Sequence, residues 1–156
     1  MVDPLPDLRP YLDTLRETGL QLQYVIDTHT HADHLSGARA LVDATGATYV
    51  RHATAPARDP VLRVRDGDHV DMGNVDIAVW HTPGHTPDHI SLVVTDRRRG
   101  PEPWFVLTGH ALMIGDAGRP DLTPVEGAVE LYQSLTKLMT LPDYLEVYPG
   151  AFSGST

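Results

Sequence analysis

Four side chains of metal-ligand type, His29, His31, Asp33 and His34, fall within six residues directly after the apolar run Leu22-Gln23-Tyr24-Val25-Ile26. The run through Thr28 reads as a strand, so the cluster occupies a loop at a strand end, where a rigid scaffold can hold functional groups in place. In extended backbone, alternate residues point the same way, so His29 and His31 can converge on one ion. Asp33 and His34 then point elsewhere, to orient that pair or to hold a second ion. Imidazole suits zinc, iron, copper and nickel, and carboxylate is the harder ligand. One histidine on a loop is ordinarily a surface residue. Four such groups after one strand point to a metal.

The pattern recurs. Val75 to Trp80 reads as a strand and ends at His81-Thr82-Pro83-Gly84-His85-Thr86-Pro87-Asp88-His89. Pro83-Gly84 is a turn dipeptide that can present His85 inward, with His81 and His89 in supporting or exposed places. Trp104 to Thr108 reads as a third strand and leads to His110. Around these lie helices predicted over 7–18, stopped by Gly19, and over 34–45, with Leu35, Ala38 and Leu41 on one side. A last helix is predicted to start at a Thr123-Pro124-Val125-Glu126 capping box and to carry Val129, Tyr132, Leu135 and Met139 at helical spacing. Shorter strands are predicted at Thr48 to Arg51, Ile90 to Thr95 and Tyr144 to Tyr148. Val61 to Val64 and His69 to Met72 flank Asp66-Gly67, which predicts a hairpin.

The chain of 156 residues suits one domain, and its net charge of −9 opposes sequence-independent binding to nucleic acid. Arg97-Arg98-Arg99, beside Gly100-Pro101, reads as a solvated loop tip. With no cysteine, no apolar stretch long enough to span a bilayer and no basic-then-apolar N-terminus, the expected setting is the cytoplasm, away from membranes.

His29-Thr30-His31-Ala32-Asp33-His34 resembles the His-x-His-x-Asp-His signature of the metallo-β-lactamase superfamily, and His81-Thr82-Pro83-Gly84-His85-Thr86-Pro87 resembles its second metal motif. Within that superfamily, Thr28 to Gly37 and Leu107 to Leu122, above all Gly118-Arg119-Pro120-Asp121-Leu122, are similar to the persulfide dioxygenase (sulfur dioxygenase) branch more than to the hydroxyacylglutathione hydrolases. The resemblance covers nearly the whole chain. It implies an α/β fold of the α+β type, an αββα sandwich in a single domain over 1–156, shortened at both ends. It also implies a single iron(II) held by two histidines and one aspartate, a low-molecular-weight persulfide such as glutathione persulfide as substrate, and oxidation to sulfite by dioxygen.

Three departures bear on what is inherited. The family's aspartate after Leu-Thr-Gly is His110 here. The family's last ligand histidine, after Tyr-Pro-Gly, is Ala151. The opening strands of the family domain are missing before Val2-Asp3-Pro4, which would leave a sheet edge uncovered and favour a homodimer or a truncated chain. Neutral imidazole is a poor bridge between two ions, so one metal is expected, on His29, His85 and His110, with His31 as the alternative ligand. Asp33 and His34 would orient the ligands, and Arg119 would face a substrate carboxylate or pair with Asp116 or Asp121. Three histidines and a water are equally a catalytic zinc arrangement, so a zinc-dependent thioester hydrolase is the alternative. A non-catalytic module that has lost its metal is the third.

Overall fold

In the computed structural model, which describes residues 1–56, 60–122 and 126–151, the period-two alternation of apolar side chains sorts the strands into two stacked sheets. β1 (Tyr24–Ile26), β2 (Thr48–His52) and β3 (Leu62–Val64) pair in that order, all parallel. The second sheet contains β4 (His69–Met72), β5 (Val75–His81), β6 (Ile90–Asp96), β7 (Phe105–Gly109) and β10 (Glu146–Pro149). Its order is β10-β7-β6-β5-β4, antiparallel except that β10 runs parallel to β7. β8 (Leu112–Met113) and β9 (Asp116–Ala117) form a small separate ribbon.

Between the sheets, Ile26, Val50 and Val64 pack against Val70, Ile77, Val79, Ile90 and Leu92. Neighbours of opposite parity face outward. Val25 packs with Ala38 and Leu41 of α2 (Ala38–Thr45) and with Leu8, Tyr11 and Leu12 at α1 (Arg9–Thr18). Val93 and Val106 pack with Leu138 of α3 (Gly127–Leu138). The result is the expected layering of helices, sheet, sheet and helix. Each fully buried aliphatic side chain contributes about 1.5–3 kcal/mol, so the layer between the sheets dominates the stability.

Several local expectations are corrected. Asp66-Gly67 does not close a hairpin, because β3 pairs with β2 and β4 pairs with β5 in the other sheet. The hairpin lies one step later, where Met72 faces Val75 across Gly73-Asn74, with Gly73 at φ 76°. α2 begins at Ala38 rather than His34. The Ser36 hydroxyl donates to Asp27 and accepts from the Ala38 N–H, and Gly37 N–H donates to Pro4, so the preceding turn is held by other partners. Leu35 is accordingly 81% exposed. The buried stripe of α3 is Leu131, Ser134 and Leu138, whereas Val129, Tyr132 and Met139 face outward. Thr123 and Pro124 of the expected capping box lie outside the described residues, and Glu126 makes no side-chain cap bond. α1 matches its expectation and ends at Gly19, φ 67°. Among the described residues no strand pairs with the outer edge of β10. Among the described residues no helix is long and apolar enough to cross a membrane.

Candidate metal centre

The loops after β1, β5 and β7 bring His29, His85 and His110 together. Their ring centroids lie 4.9 to 5.1 Å apart, close to an equilateral triangle. One nitrogen from each lies within 4.8 Å of the other two. His29 and His85 are buried and His110 is half-buried.

Hydrogen bonds fix which nitrogen of His29 is available. The Thr28 hydroxyl donates to Asp3 Oδ2 at 2.7 Å and lies 2.8 Å from His29 Nδ1. Its single proton is committed to Asp3, so His29 Nδ1–H must donate to the hydroxyl, and His29 Nε2 carries the lone pair. That nitrogen is 3.2 Å from His110 Nδ1. His85 is fixed the same way: its Nδ1 lies 3.2 Å from the Arg119 carbonyl, which can only accept, so its Nε2 is also a lone pair. Carboxylate or carbonyl partners behind metal-binding imidazoles orient the ring and raise its basicity.

Asp3 also accepts from the Thr28 backbone N–H at 2.7 Å and meets His31 Nε2 at 3.1 Å. It is the single described non-glycine residue at positive φ, 46°, a strained conformation typical of functional positions. Sequence reasoning missed this residue. No spacing rule reaches it, because its contact depends on a parallel bridge between Val2 and Ile26.

His110 is placed through its backbone, whose N–H donates to His89 Nε2 at 3.1 Å. His89 is fully buried and bonds Thr82 through Nδ1 at 2.9 Å, so it is a neutral structural residue rather than a ligand. Gly109, at φ 49°, permits this approach: a Cβ there would lie 2.6 Å from His89 Nε2 and 2.8 Å from the Thr28 hydroxyl. His85 is supported from behind by α3. The Ser134 hydroxyl donates to the Pro83 carbonyl at 2.7 Å, and a Cβ on Gly84 would lie 2.3 Å from the Leu131 nitrogen.

Asp33 and His34 stand beside this set. His34 Nδ1 is 3.1 Å from Asp33 Oδ1, and Asp33 Oδ2 is 4.0 Å from His110 Nε2. His31, Asp33 and His34 can themselves offer three atoms within 4.8 Å of one another. His31 Nδ1 and His34 Nε2 are buried with no hydrogen-bond partner among the described residues. Buried polar atoms seldom go unpaired, and these two lie in the flanking group, outside the triangle. The triangle itself fits a metal ion, with lone pairs on His29 Nε2 and His85 Nε2 and one nitrogen from each of its three rings within 4.8 Å of the others.

The electrostatics agree. Burial holds His29, His85 and His110 below the ordinary histidine pKa, and neighbouring rings add to the fall, against the Arg119 carbonyl at His85 and the Asp33 and Asp3 carboxylates at His110. They are neutral, as ligation requires. Burial also opposes charge on His31, but the Asp3 hydrogen bond and the Asp3, Asp27 and Asp33 carboxylates outweigh it and raise its pKa.

A second feature missed in the sequence joins the first two loops. Arg51 of β2 donates to the Thr30 hydroxyl at 2.7 Å and stands 3.4 Å from Asp88, whose carboxylate accepts from Thr30 at 2.7 Å. Arg51 and Asp88 are both buried.

Two cavities flank the histidines. One, of about 420 Å³, is lined by His85, His110, Met113, Asp116, Arg119 and Leu122. The other, of about 360 Å³, reaches Tyr11, His31 and His34. Arg119 thus opens onto the first cavity, with its Nε 3.6 Å from Asp121.

The family described as the metallo-beta-lactamase superfamily matches residues 1–151. The hydroxyacylglutathione hydrolase of Methylobacterium sp. (strain 4-46) is 33% identical over 148 residues, 94% of this chain and 54% of its own length. The mitochondrial persulfide dioxygenase ETHE1 of Homo sapiens is 32% identical over 155 residues, 96% of this chain and 57% of its own. Among solved structures, ETHE1 from Myxococcus xanthus superimposes with TM-score 0.85 at 39% identity, over 98% of this chain and 65% of that one. A metallo-β-lactamase from Staphylococcus aureus gives TM-score 0.86 at 33% identity, over 99% of this chain and 48% of that one. The ETHE1 matches support the persulfide dioxygenase-like branch. The chain spans about half the length of the curated relatives it matches.

Proposed function

The chain belongs to the metallo-β-lactamase superfamily, and from that membership we propose that it is a metal-dependent enzyme with one ion, oxidising a low-molecular-weight persulfide of the glutathione persulfide kind to sulfite with dioxygen. The observation that carries this reading is the triangle of three neutral histidines, His29, His85 and His110, opening onto a cavity that also holds Arg119. These three would hold the ion, with His31 as the alternative. Iron(II) bound there would supply the redox chemistry that lets dioxygen react with sulfur. The overall change balances: persulfide, dioxygen and water give thiol, sulfite and two protons, with the sulfur losing the four electrons that dioxygen gains.

The protein's own residues bind and orient. Arg119 takes a carboxylate of the substrate, and its carbonyl holds His85 in the useful tautomer. Asp3, through the Thr28 hydroxyl, does the same for His29. Asp33 and His34 act from the side, where the Asp33 carboxylate places negative charge 4.0 Å from His110 Nε2. Met113 and Leu122 give the cavity an apolar wall against the carbon chain of a thiol.

A zinc-dependent thioester hydrolase is the second reading. A set of three histidines without a carboxylate favours it, and so do the hydrolase relatives. The two readings separate by dioxygen uptake on adding glutathione persulfide, against cleavage of S-lactoylglutathione without uptake. Uptake with sulfite formed in equal amount supports the first. Thioester cleavage alone replaces it with the second, and neither activity in metal-loaded protein sinks both.

A further inference from the structure

We propose that Asp116 and Arg119 form a two-charge subsite at the cavity beside the histidines, reading the α-ammonium and α-carboxylate of a thiol-bearing amino acid or peptide. This rests on the proposed persulfide chemistry and specifies which persulfides the site takes. The β8–β9 ribbon places the two charges. Met113 pairs with Asp116 and Leu112 with Ala117, so the Asp116 carboxylate is carried beside an apolar wall residue of the same cavity. Arg119 follows three residues later, past Gly118. A Cβ at Gly118 would lie 2.9 Å from His85 Cβ and 2.2 Å from the His110 carbonyl, so the segment from Asp116 to Arg119 passes directly against the histidine set.

The charges are not consumed by the protein itself. Asp116 forms no ion pair among the described residues, and the bond that engages its carboxylate comes from the adjacent Ala117 N–H at 2.8 Å. Arg119 meets Asp121 at 3.6 Å, but the two side chains are 54% and 65% exposed, a pair weak enough to be exchanged for a ligand. A carboxylate at the mouth of a site for anionic sulfur compounds, on a chain of net charge −9, would repel substrate unless the substrate carries a cation to meet it. An α-amino acid head supplies that cation together with a carboxylate for Arg119. Met113 and Leu122 line the same cavity and offer apolar contact to the carbon chain that joins such a head to its sulfur.

The test is calorimetric titration of the metal-loaded protein with S-methylglutathione and with its N-acetyl derivative, neither of which can turn over. The wild-type protein should prefer the free amine by about two- to fivefold, the range expected of an exposed ion pair, and the preference should shrink at high salt. Asp116→Asn should abolish the preference without weakening the N-acetyl ligand, and Arg119→Gln should weaken both ligands. Equal binding of the two ligands, no binding of either, or a preference that survives in Asp116→Asn overturns the proposal. Dioxygen uptake with glutathione persulfide, measured on the same preparation, keeps the two ideas apart. Uptake without amine preference removes the subsite and leaves the oxidation reading. Amine preference without uptake leaves the subsite and removes that reading.

Discussion

Replacing Thr28 by valine keeps the shape of the side chain and deletes the hydroxyl that joins Asp3 to His29. His29 would then lose the partner that holds its proton on Nδ1. Outer partners of this kind are worth about 10- to 100-fold in metal affinity. Thr28→Val should therefore weaken metal binding by that factor, read by competition with a chelator, while circular dichroism stays native. An unchanged affinity would remove the relay from the account. At this scale the sequence was informative where candidate ligands are local. His29, His31, Asp33, His34 and His85 lie in short motifs with interpretable spacing, and the structure brings all of them to one place. Asp3, Arg51 and Asp88 were not legible. Their contacts cross 25 residues from Asp3 to Thr28 and 37 from Arg51 to Asp88, and are set only by how strands pair.

Individual elements show why one periodicity can be read correctly and another not. α3 carries two apolar stripes at helical spacing. The one that is buried is decided by docking on the loop of 82–85, through Leu131 and Ser134. Gly84→Ala tests that docking. Gly84 sits at φ 126° with the Leu131 backbone against it, so the substitution must displace the helix or the loop. Its expected cost is about 3 kcal/mol, read in urea melts, together with weaker metal retention, since His85 adjoins the displaced turn. A neutral outcome in both would show that α3 does not position His85. The false hairpin at Asp66-Gly67 has a similar cause. Turn chemistry marks a reversal of direction, but not which sheet the next strand joins.

The end of β2 supplies a pH dependence. His52 stacks on His81 with centroids 4.0 Å apart and planes 8° from parallel. Burial and the His81 ring lower its pKa from 6.5 to about 4, against the partial opposition of Asp88 and Asp66, with Arg65 adding to the fall. The unfolded chain binds a proton at this residue below pH 6.5 that the folded chain refuses until about 4. The stability from the neutral ring is therefore complete above 6.5 and is lost as pH falls through that window. Thermal midpoints should drop from pH 7 toward 4, and His52→Asn, which keeps an acceptor where Nδ1 lies, should reduce the drop. An identical profile for the variant would exclude His52 as a contributor.

For the whole molecule, the layered sandwich makes the site an assembly of distant parts. The first sheet delivers His29 and the second delivers His85 and His110, and Arg51 with Asp88 and Thr30 joins the loops of the two sheets. The layers were legible because strand alternation and helix spacing each report a buried face. The convergence of three loops was expected from the family resemblance rather than from any single stretch of sequence. The three-histidine set offers neutral nitrogen, with the Asp3, Asp27 and Asp33 carboxylates grouped around His31 beside it, and imidazole suits iron and zinc alike. Metal analysis of protein purified without added metal, beside a His29→Ala, His85→Ala double variant, tests the central claim directly. The account predicts about one equivalent of a transition metal, iron foremost, in the wild-type protein and its loss in a folded variant. A wild-type protein that carries no stoichiometric metal and takes up none from iron(II) or zinc would contradict it.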